Sequence, residues 1–277
     1  MEFRQRRVLI GSPIHQKPEK LKYFLSSITE LNKELATHDY VFVDDNDMPE
    51  SSLILSQFVQ ENPNTTLFKS SGSGTTPYTC DEVTHNWNEG LIWKVALFKN
   101  YMIEQAFRQQ YDYLFLVDSD LVLRPITLDW LIRMDKEIIS EVFWTRWRPD
   151  APLLPQVWLG DQYNQFVRSR GENLTQEELL VRHQRFISQL KIPGVYEVGG
   201  LGACTLISRN AIIKGVSFAE IRNLSFWGED RHFCIRASAL GFTLHVDTHF
   251  PAYHIYRDTD LVGVEAYKKM QSTNGAW

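Results

Sequence analysis

Short apolar runs of strand length alternate with amphipathic helical segments through the first half of the chain, and this alternation constrains the fold most. The runs RRVLIGSP, YVFVDDND, TTLFKSS and YLFLVDSD are typical of strands. After the first run, apolar residues recur at helical spacing at Leu21, Phe24, Leu25, Ile28, Leu31 and Leu35. The alternation predicts an α/β fold with a Rossmann-like, mostly parallel central sheet flanked by helices.

Carboxylates follow two of these strands at the point where the strand ends. Asp44 and Asp45 follow the second strand, and Asp118 and Asp120 follow the fourth. Ligands of open α/β sheets bind outside the carboxyl ends of the strands, so we expect these side chains to face one site. Asp-x-Asp is also an ordinary turn after a strand. Its position beside other strand-end acids favours a hard cation, which takes carboxylates and substrate phosphates as ligands.

The second half is less regular but contains three further candidate groups. Glu229 and Asp230 stand at the predicted N-terminus of a helix, where acids complement the helix dipole and where an ionised carboxylate could also act as a base. His254 lies in the last predicted strand, TLHVDTHFPAYHIYR, where a histidine is either packed or a metal ligand. The GGLGA stretch is a tight turn or a place where the backbone approaches a sugar or phosphate.

Composition excludes several classes of function. A net charge of −5 and a pI near 5.9 over 277 residues argue against nucleic acid as a partner. The three cysteines are widely separated, which suggests a reducing compartment rather than a disulfide framework. Since no apolar run approaches the length of a membrane span, we expect a cytoplasmic protein without a transmembrane segment. Peripheral contact with a membrane stays open.

The order of these motifs resembles glycosyltransferases of the GT-A fold, most closely the family 2 group. The motifs are VLIGSP, VFVDDND, FLVDSD, GGLGA, WGED and a late histidine, and the resemblance covers roughly residues 7–257. It implies a single GT-A domain over residues 1–277. Residues 1–125 would form its nucleotide-binding half and residues 126–277 its acceptor-binding half.

The resemblance also implies roles for individual residues. Pro13 and either Asp44 or Asp45 would hold the nucleotide base and ribose, and Lys94 would reach the diphosphate. Asp118 and Asp120 are similar to the metal motif, with Asp120 as the direct ligand of Mn²⁺ or Mg²⁺ and Asp118 acting through water or on the ribose. His254 stands in the place of the late metal-binding histidine.

The remaining implied roles concern chemistry at the sugar. Asp230 is similar to the catalytic base of inverting members, and Glu229 would support it or bind the acceptor. Gly200, Leu201 and Gly202 resemble the loop that approaches the donor sugar. The implied enzyme is a hexosyltransferase that uses a nucleotide-diphosphate sugar, with UDP favoured, and a glycan, a protein or a lipid-linked saccharide as acceptor.

Departures from the family pattern leave alternatives open. The second loop reads DDND where many members have one acid and a small residue, and no Gln-x-x-Arg-Trp motif follows WGED. Processive polymer synthesis is therefore not expected. Retaining transferases that use GDP-mannose share the strand-end acids, so the stereochemistry stays open. A nucleotidyltransferase is disfavoured because GSPIHQKPEK lacks a glycine cluster, and a non-catalytic nucleotide-sugar or carbohydrate binder is the alternative from another class.

Overall fold

The fold was obtained as a computed structural model that describes residues 5–70, 79–80, 85–86, 88–225 and 228–272. The helices are α1 (Pro18–Thr29), α2 (Pro49–Glu61), α3 (Glu89–Arg108), α4 (Thr127–Arg133), α5 (Gln176–Gln189), α6 (Arg209–Ile213), α7 (Glu229–Ala239) and α8 (Leu261–Ser272), with a 3-10 turn at Asp258–Asp260. The strands are β1 (Arg6–Ile14), β2 (Ala36–Asp44), β3 (Thr65–Lys69), β4 (Thr79–Cys80), β5 (His85–Asn86), β6 (Tyr113–Leu116), β7 (Leu121–Val122), β8 (Ile138–Thr145), β9 (Leu154–Pro155), β10 (Val157–Trp158), β11 (Val195–Val198), β12 (Gly200–Leu201), β13 (Thr205–Ser208) and β14 (Leu244–His254).

One large mixed sheet forms the centre of the molecule, in the order β3-β2-β1-β6-β13-β8-β14-β11. β3, β2, β1 and β6 are parallel to one another, whereas β13 runs antiparallel to both β6 and β8. β14 pairs in parallel with β8, so six of these eight strands run in the same direction. The prediction of an α/β fold with a mostly parallel sheet is confirmed.

Helices cover both faces of the sheet. Successive side chains along a strand point to opposite faces, so one strand contributes to two apolar cores. In β1, Val8 and Ile10 enter one apolar core together with Phe24 of α1. Leu9, between them, enters the other core together with Met102 of α3. Each of these side chains is at most 2% exposed. The continuous apolar runs in the sequence are therefore strands buried on both faces.

One prediction about helices needs correction. The first helix ends at Thr29, and Leu31, although buried, lies beyond its end. After β14, the last strand, the chain continues into α8. Val264 and Tyr267 of α8 pack against Ile255 in a small third core, so burial of one apolar face holds this helix. Within the described residues no helix is both long and apolar enough to cross a membrane.

The same-direction strands bring their carboxyl ends to one edge of the sheet. These ends are Ile14 of β1, Asp44 of β2, Lys69 of β3, Leu116 of β6, Thr145 of β8 and His254 of β14. The loops that follow them therefore meet at this edge, although they come from both halves of the sequence.

Candidate active site

A cleft of about 710 Å³ lies at this edge of the sheet. It is lined by residues from both halves of the chain, including most of the side chains singled out in the sequence. Those that line it are Pro13, Asp45, Asp118, Asp120, Gly202, Glu229, Asp230 and His254. The acids at the strand ends and the acids at the start of α7 thus line the same cleft.

Asp120 and His254 are brought together by a short antiparallel pairing. β7 begins directly after Asp120, and Leu121 pairs with His254 of β14. The Ile255 amide donates to the Asp120 carbonyl at 2.8 Å, which extends the pairing by one step. As a result, Nε2 of His254 lies 3.3 Å from Oδ2 of Asp120. Two predicted metal ligands are therefore adjacent.

The other ring nitrogen of His254 is held by β8. Nδ1 lies 2.9 Å from the Thr145 hydroxyl, which orients the ring so that Nε2 faces Asp120. Within the described residues no three His, Cys, Asp or Glu side chains are grouped closely enough to hold a metal ion by themselves. A carboxylate with an imidazole fits an ion that takes its remaining ligands from substrate phosphates and water.

Asp118 lies deeper in the same turn and has a different environment. Burial raises the pKa of its carboxyl to about 6, Lys99 opposes this, and the Asp120 carboxylate adds to it. Glu229 also repels it. Asp118 is therefore electrostatically connected to α7 as well as to its neighbour in the motif.

Lys99 of α3 forms ion pairs with both acids at the start of α7. Its Nζ lies 2.9 Å from Oε1 of Glu229 and 3.0 Å from Oδ1 of Asp230. The Lys99 side chain is only 4% exposed. Burial raises the pKa of Asp230 to about 7, Lys99 acts against that shift, and the carboxylates of Glu229 and Asp118 add to it.

Sequence reasoning missed Lys99, although a signal was present. The buried face of α3 includes Ala96, Met102 and Ala106, and Lys99 lies on the same helical stripe. A lysine at a core position is almost always paired with an acid. Lys94, which the sequence singled out instead, pairs with Oδ1 of Asp45 at 2.6 Å.

Asp44, the last residue of β2, and Asp45, which follows it, face different ways. Oδ1 of Asp44 accepts hydrogen bonds from the Asn46 amide and from the Ser52 hydroxyl, and thereby holds the turn into α2. Asp45 lines the cleft beside Pro13. Of the two candidates, Asp45 is therefore the one that lines the cleft.

The three candidates in the GGLGA stretch also differ in their surroundings. At Gly200 a Cβ would lie 2.0 Å from the Trp158 ring, so this glycine is required by packing between β12 and β10. The Leu201 amide donates to Sγ of Cys234, and the Leu201 side chain is buried. Of the three candidates in this stretch, Gly202 lines the cleft, where its absent side chain leaves room next to Asp230.

An aromatic wall from the irregular segment of the second half closes the far side of the cleft. Trp147, Trp158, Tyr163 and Phe166 contribute to it. The rings of Trp158 and Tyr163 meet edge to face with centroids 4.4 Å apart. Phe226 and Trp227, which precede the acids of α7 in sequence, lie outside the described residues.

An ion pair between the buried Arg231 and the exposed Asp161 ties the loop of this wall to α7. Nε of Arg231 lies 2.6 Å from Oδ1 of Asp161, and its terminal nitrogen lies 2.9 Å from the other carboxylate oxygen. Gln162 and Tyr163 adopt positive φ angles of 59° and 60°. This bidentate contact holds a backbone conformation that residues other than glycine seldom adopt. Nothing in the sequence pattern indicated this contact between Arg231 and Asp161.

The sequence matches no protein-family model, and it matches none of the curated proteins. Solved structures nevertheless share its fold. The mannosyltransferase PcManGT of Pyrobaculum calidifontis, in complex with GDP-Man and Mn²⁺, aligns with 88% of this chain at 11% identity and a TM-score of 0.50. S. aureus TarS 1–349 aligns with 97% of the chain at 13% identity, with TM-scores of 0.52 alone and 0.53 in complex with UDP.

The present chain spans 57% of the mannosyltransferase chain and 66% of the TarS chain. At these identities the likeness concerns the fold. The order of the strands, the cleft at their carboxyl ends and these alignments together show that this chain has the GT-A fold of nucleotide-sugar glycosyltransferases.

Proposed function

We propose that this protein is a glycosyltransferase that moves a single sugar from a nucleotide-diphosphate sugar to an acceptor hydroxyl, with inversion at the anomeric carbon. The observation that carries the proposal is the position of Asp230 in the same cleft as the Asp120–His254 pair. Such a transfer needs a base at the acceptor and charge neutralisation at the leaving diphosphate, and these two groups have the matching chemistry.

In this proposal Asp230 accepts the proton of the acceptor hydroxyl. The acceptor oxygen forms a bond to the anomeric carbon, while the bond from that carbon to the diphosphate oxygen breaks. A carboxyl whose pKa is raised to about 7 is suited to this task near neutral pH, because a base is most effective when its pKa lies close to the working pH. Glu229 shares Lys99 with Asp230 and supports it.

Asp120 and His254 are the residues that would hold Mn²⁺ or Mg²⁺, with Asp118 acting through water or on the ribose. A bound divalent ion would neutralise negative charge on the departing diphosphate. Pro13 and Asp45 line the part of the cleft assigned to the base and ribose, and Lys94 lies beside Asp45. In this proposal residues 1–125 bind most of the nucleotide and residues 126–277 bind the acceptor and contribute His254, within a single domain.

The donor we favour is a UDP-sugar, and a GDP-mannose donor is the second candidate. Solved proteins with this fold are known in complex with UDP and with GDP-Man and Mn²⁺. The acceptor is a glycan, a protein or a lipid-linked saccharide that enters along the aromatic wall. A non-catalytic binder would have nucleotide affinity without turnover.

The first test is a thermal shift with UDP, GDP, CDP and TDP, each with and without Mn²⁺, on the wild type and on Asp120→Ala. We expect a metal-dependent rise in Tm with one nucleotide, and loss of the metal dependence in the variant. Release of that nucleoside diphosphate from its sugar conjugate then establishes turnover, and the anomeric configuration of the product decides between inversion and retention. Nucleotide binding without any release would contradict the proposal.

A further inference from the structure

Lys99 occupies a position where a lysine is costly unless it is paired. It lies on the buried stripe of α3 with a side chain that is 4% exposed. Transferring an ammonium group out of water disfavours its charged form. Here the carboxylates of Asp230, Glu229 and Asp118 outweigh burial and raise the pKa of Lys99 well above its usual value. The side chain is therefore a permanent cation at the floor of the cleft.

The surroundings of Lys99 on its other side are apolar. Its Nζ lies 5.0 Å from the centroid of the Phe218 ring, which is itself stacked on Phe233 at 4.5 Å. Among the described residues, Lys99 is the one cation paired with Glu229 or Asp230. The orientation of both carboxylates therefore depends on this ammonium group.

The two oxygens of Asp230 have different environments. Oδ1 accepts the hydrogen bond from Lys99 at 3.0 Å. Oδ2 lies over Gly202, 3.5 Å from the place that a Cβ would take there, and no described residue hydrogen-bonds to it. Gly202 lines the cleft, so Oδ2 faces a position that an acceptor hydroxyl could reach.

We propose that Lys99 is the positioning residue for the base: by binding Oδ1 of Asp230, it presents Oδ2 to the acceptor hydroxyl. This inference rests on the glycosyltransferase function proposed above. In this role Lys99 exchanges no proton in the reaction and acts through Asp230. The bridge to Glu229 fixes Lys99 in turn, so that a shift of the ammonium group changes the direction in which Asp230 points.

The test compares Lys99→Met, which keeps the length of the side chain and removes its charge, with Lys99→Arg, which keeps the charge. At a pH on the plateau above the acidic limb of each variant, we expect Lys99→Met to lower kcat about a hundredfold while the KM for the donor changes less than about threefold, because the proton-transfer geometry is lost. Lys99→Arg should recover about tenfold of that loss. Lys94→Met, on the same helix, is the matched comparison and should raise the KM for the donor instead.

Thermal denaturation separates this role from a structural one. If Lys99→Met does not fold because two carboxylates are left unpaired, the double variant Lys99→Met/Glu229→Gln removes one of them and is compared with Glu229→Gln alone. A folded variant without Lys99 that keeps kcat within about threefold of its parent, or whose loss lies wholly in the KM for the donor, overturns the positioning role. A wild type without turnover would instead overturn the proposed function, and the positioning role with it.

Discussion

The two halves of the molecule place their functional side chains in different ways. In the first half, the candidate acids lie at or just after the ends of regular strands, as Asp45 follows β2 and Asp118 follows β6. In the second half, the contacts join distant points of the chain: Lys99 reaches Asp230 across 131 residues, and Arg231 reaches Asp161 across 70. Sheet topology positions the first set, whereas tertiary packing positions the second.

This difference has a physical cause. Parallel strands buried on both faces have one possible edge for their ligands, so the location of the site follows from the alternation of strands and helices. The second half contains β9, β10 and β12, each of two residues, and the antiparallel β13 inserted between β6 and β8. Its side chains are therefore placed by individual contacts, such as the bidentate Arg231–Asp161 pair.

The largest expected effect is on kcat and comes from replacing Asp230, the proposed base in the second half. Asp230→Asn should lower kcat by about 10² to 10⁴, because the amide cannot accept the acceptor proton. Steady-state kinetics with saturating donor and acceptor measures this, and thermal denaturation confirms that the variant is folded. Wild-type kcat in this variant would show that the base lies elsewhere.

Packing in the second half is tested by two neighbouring glycines. Gly200→Ala should destabilise the protein by about 1–3 kcal/mol, since its Cβ would lie 2.0 Å from the rigid Trp158 ring. Gly202→Ala, whose nearest neighbour would be Asp230 at 3.5 Å, should leave Tm close to that of the wild type. Thermal denaturation of both variants is the measurement. Equal Tm values would show that β12 does not need the close approach to β10.

The pH dependence of kcat tests the electrostatics that join the halves. Asp230 faces Lys99 from α3, Asp118 after β6, Tyr163 from the loop after β10, and Glu229 and Cys234 on its own helix. The base must be ionised, so kcat should fall about tenfold for each pH unit below about 7 and level off above it.

The direction in which a substitution at Lys99 moves the pH profile follows from the same argument. Lys99 lowers the pKa of Asp230, so Lys99→Met should move the acidic limb to higher pH, and Lys99→Arg should move it less. Rates measured from pH 5 to 9 at saturating substrate show the limb. A profile in Lys99→Met that coincides with the wild-type profile would contradict this electrostatic connection.

The smallest expected effect belongs to the first half. Asp45→Asn removes the ion pair with Lys94, whose side chain is 29% exposed, and should raise the KM for the donor a few-fold, on the order of 1 kcal/mol at most. Its matched control is Asp47→Asn, at a side chain that is 81% exposed and outside the cleft. Initial rates at varied donor concentration distinguish the two. A fall in kcat with unchanged KM would place Asp45 in the chemistry rather than in nucleotide binding.

Sequence reasoning predicted the architecture and the carboxylates that line the cleft, because strand-end acids and the helix-start acids have recognisable patterns. It did not separate residues that are neighbours in sequence. Asp44 holds a turn while Asp45 lines the cleft, and Gly200 packs under Trp158 while Gly202 leaves space beside Asp230. The tertiary surroundings of each residue decide which of them reaches the cleft, and motifs do not specify those surroundings.

The sequence by itself determined the α/β alternation, the edge of the sheet where the cleft lies, and the candidates Asp118, Asp120, Asp230 and His254, since these follow from periodicity and from the order of motifs. The tertiary structure alone decided that β7 pairs with β14 and thereby brings Asp120 to His254. It also decided that Lys99 is the partner of Asp230. Contacts between distant segments depend on how whole layers pack, and no local pattern encodes the geometry of that packing.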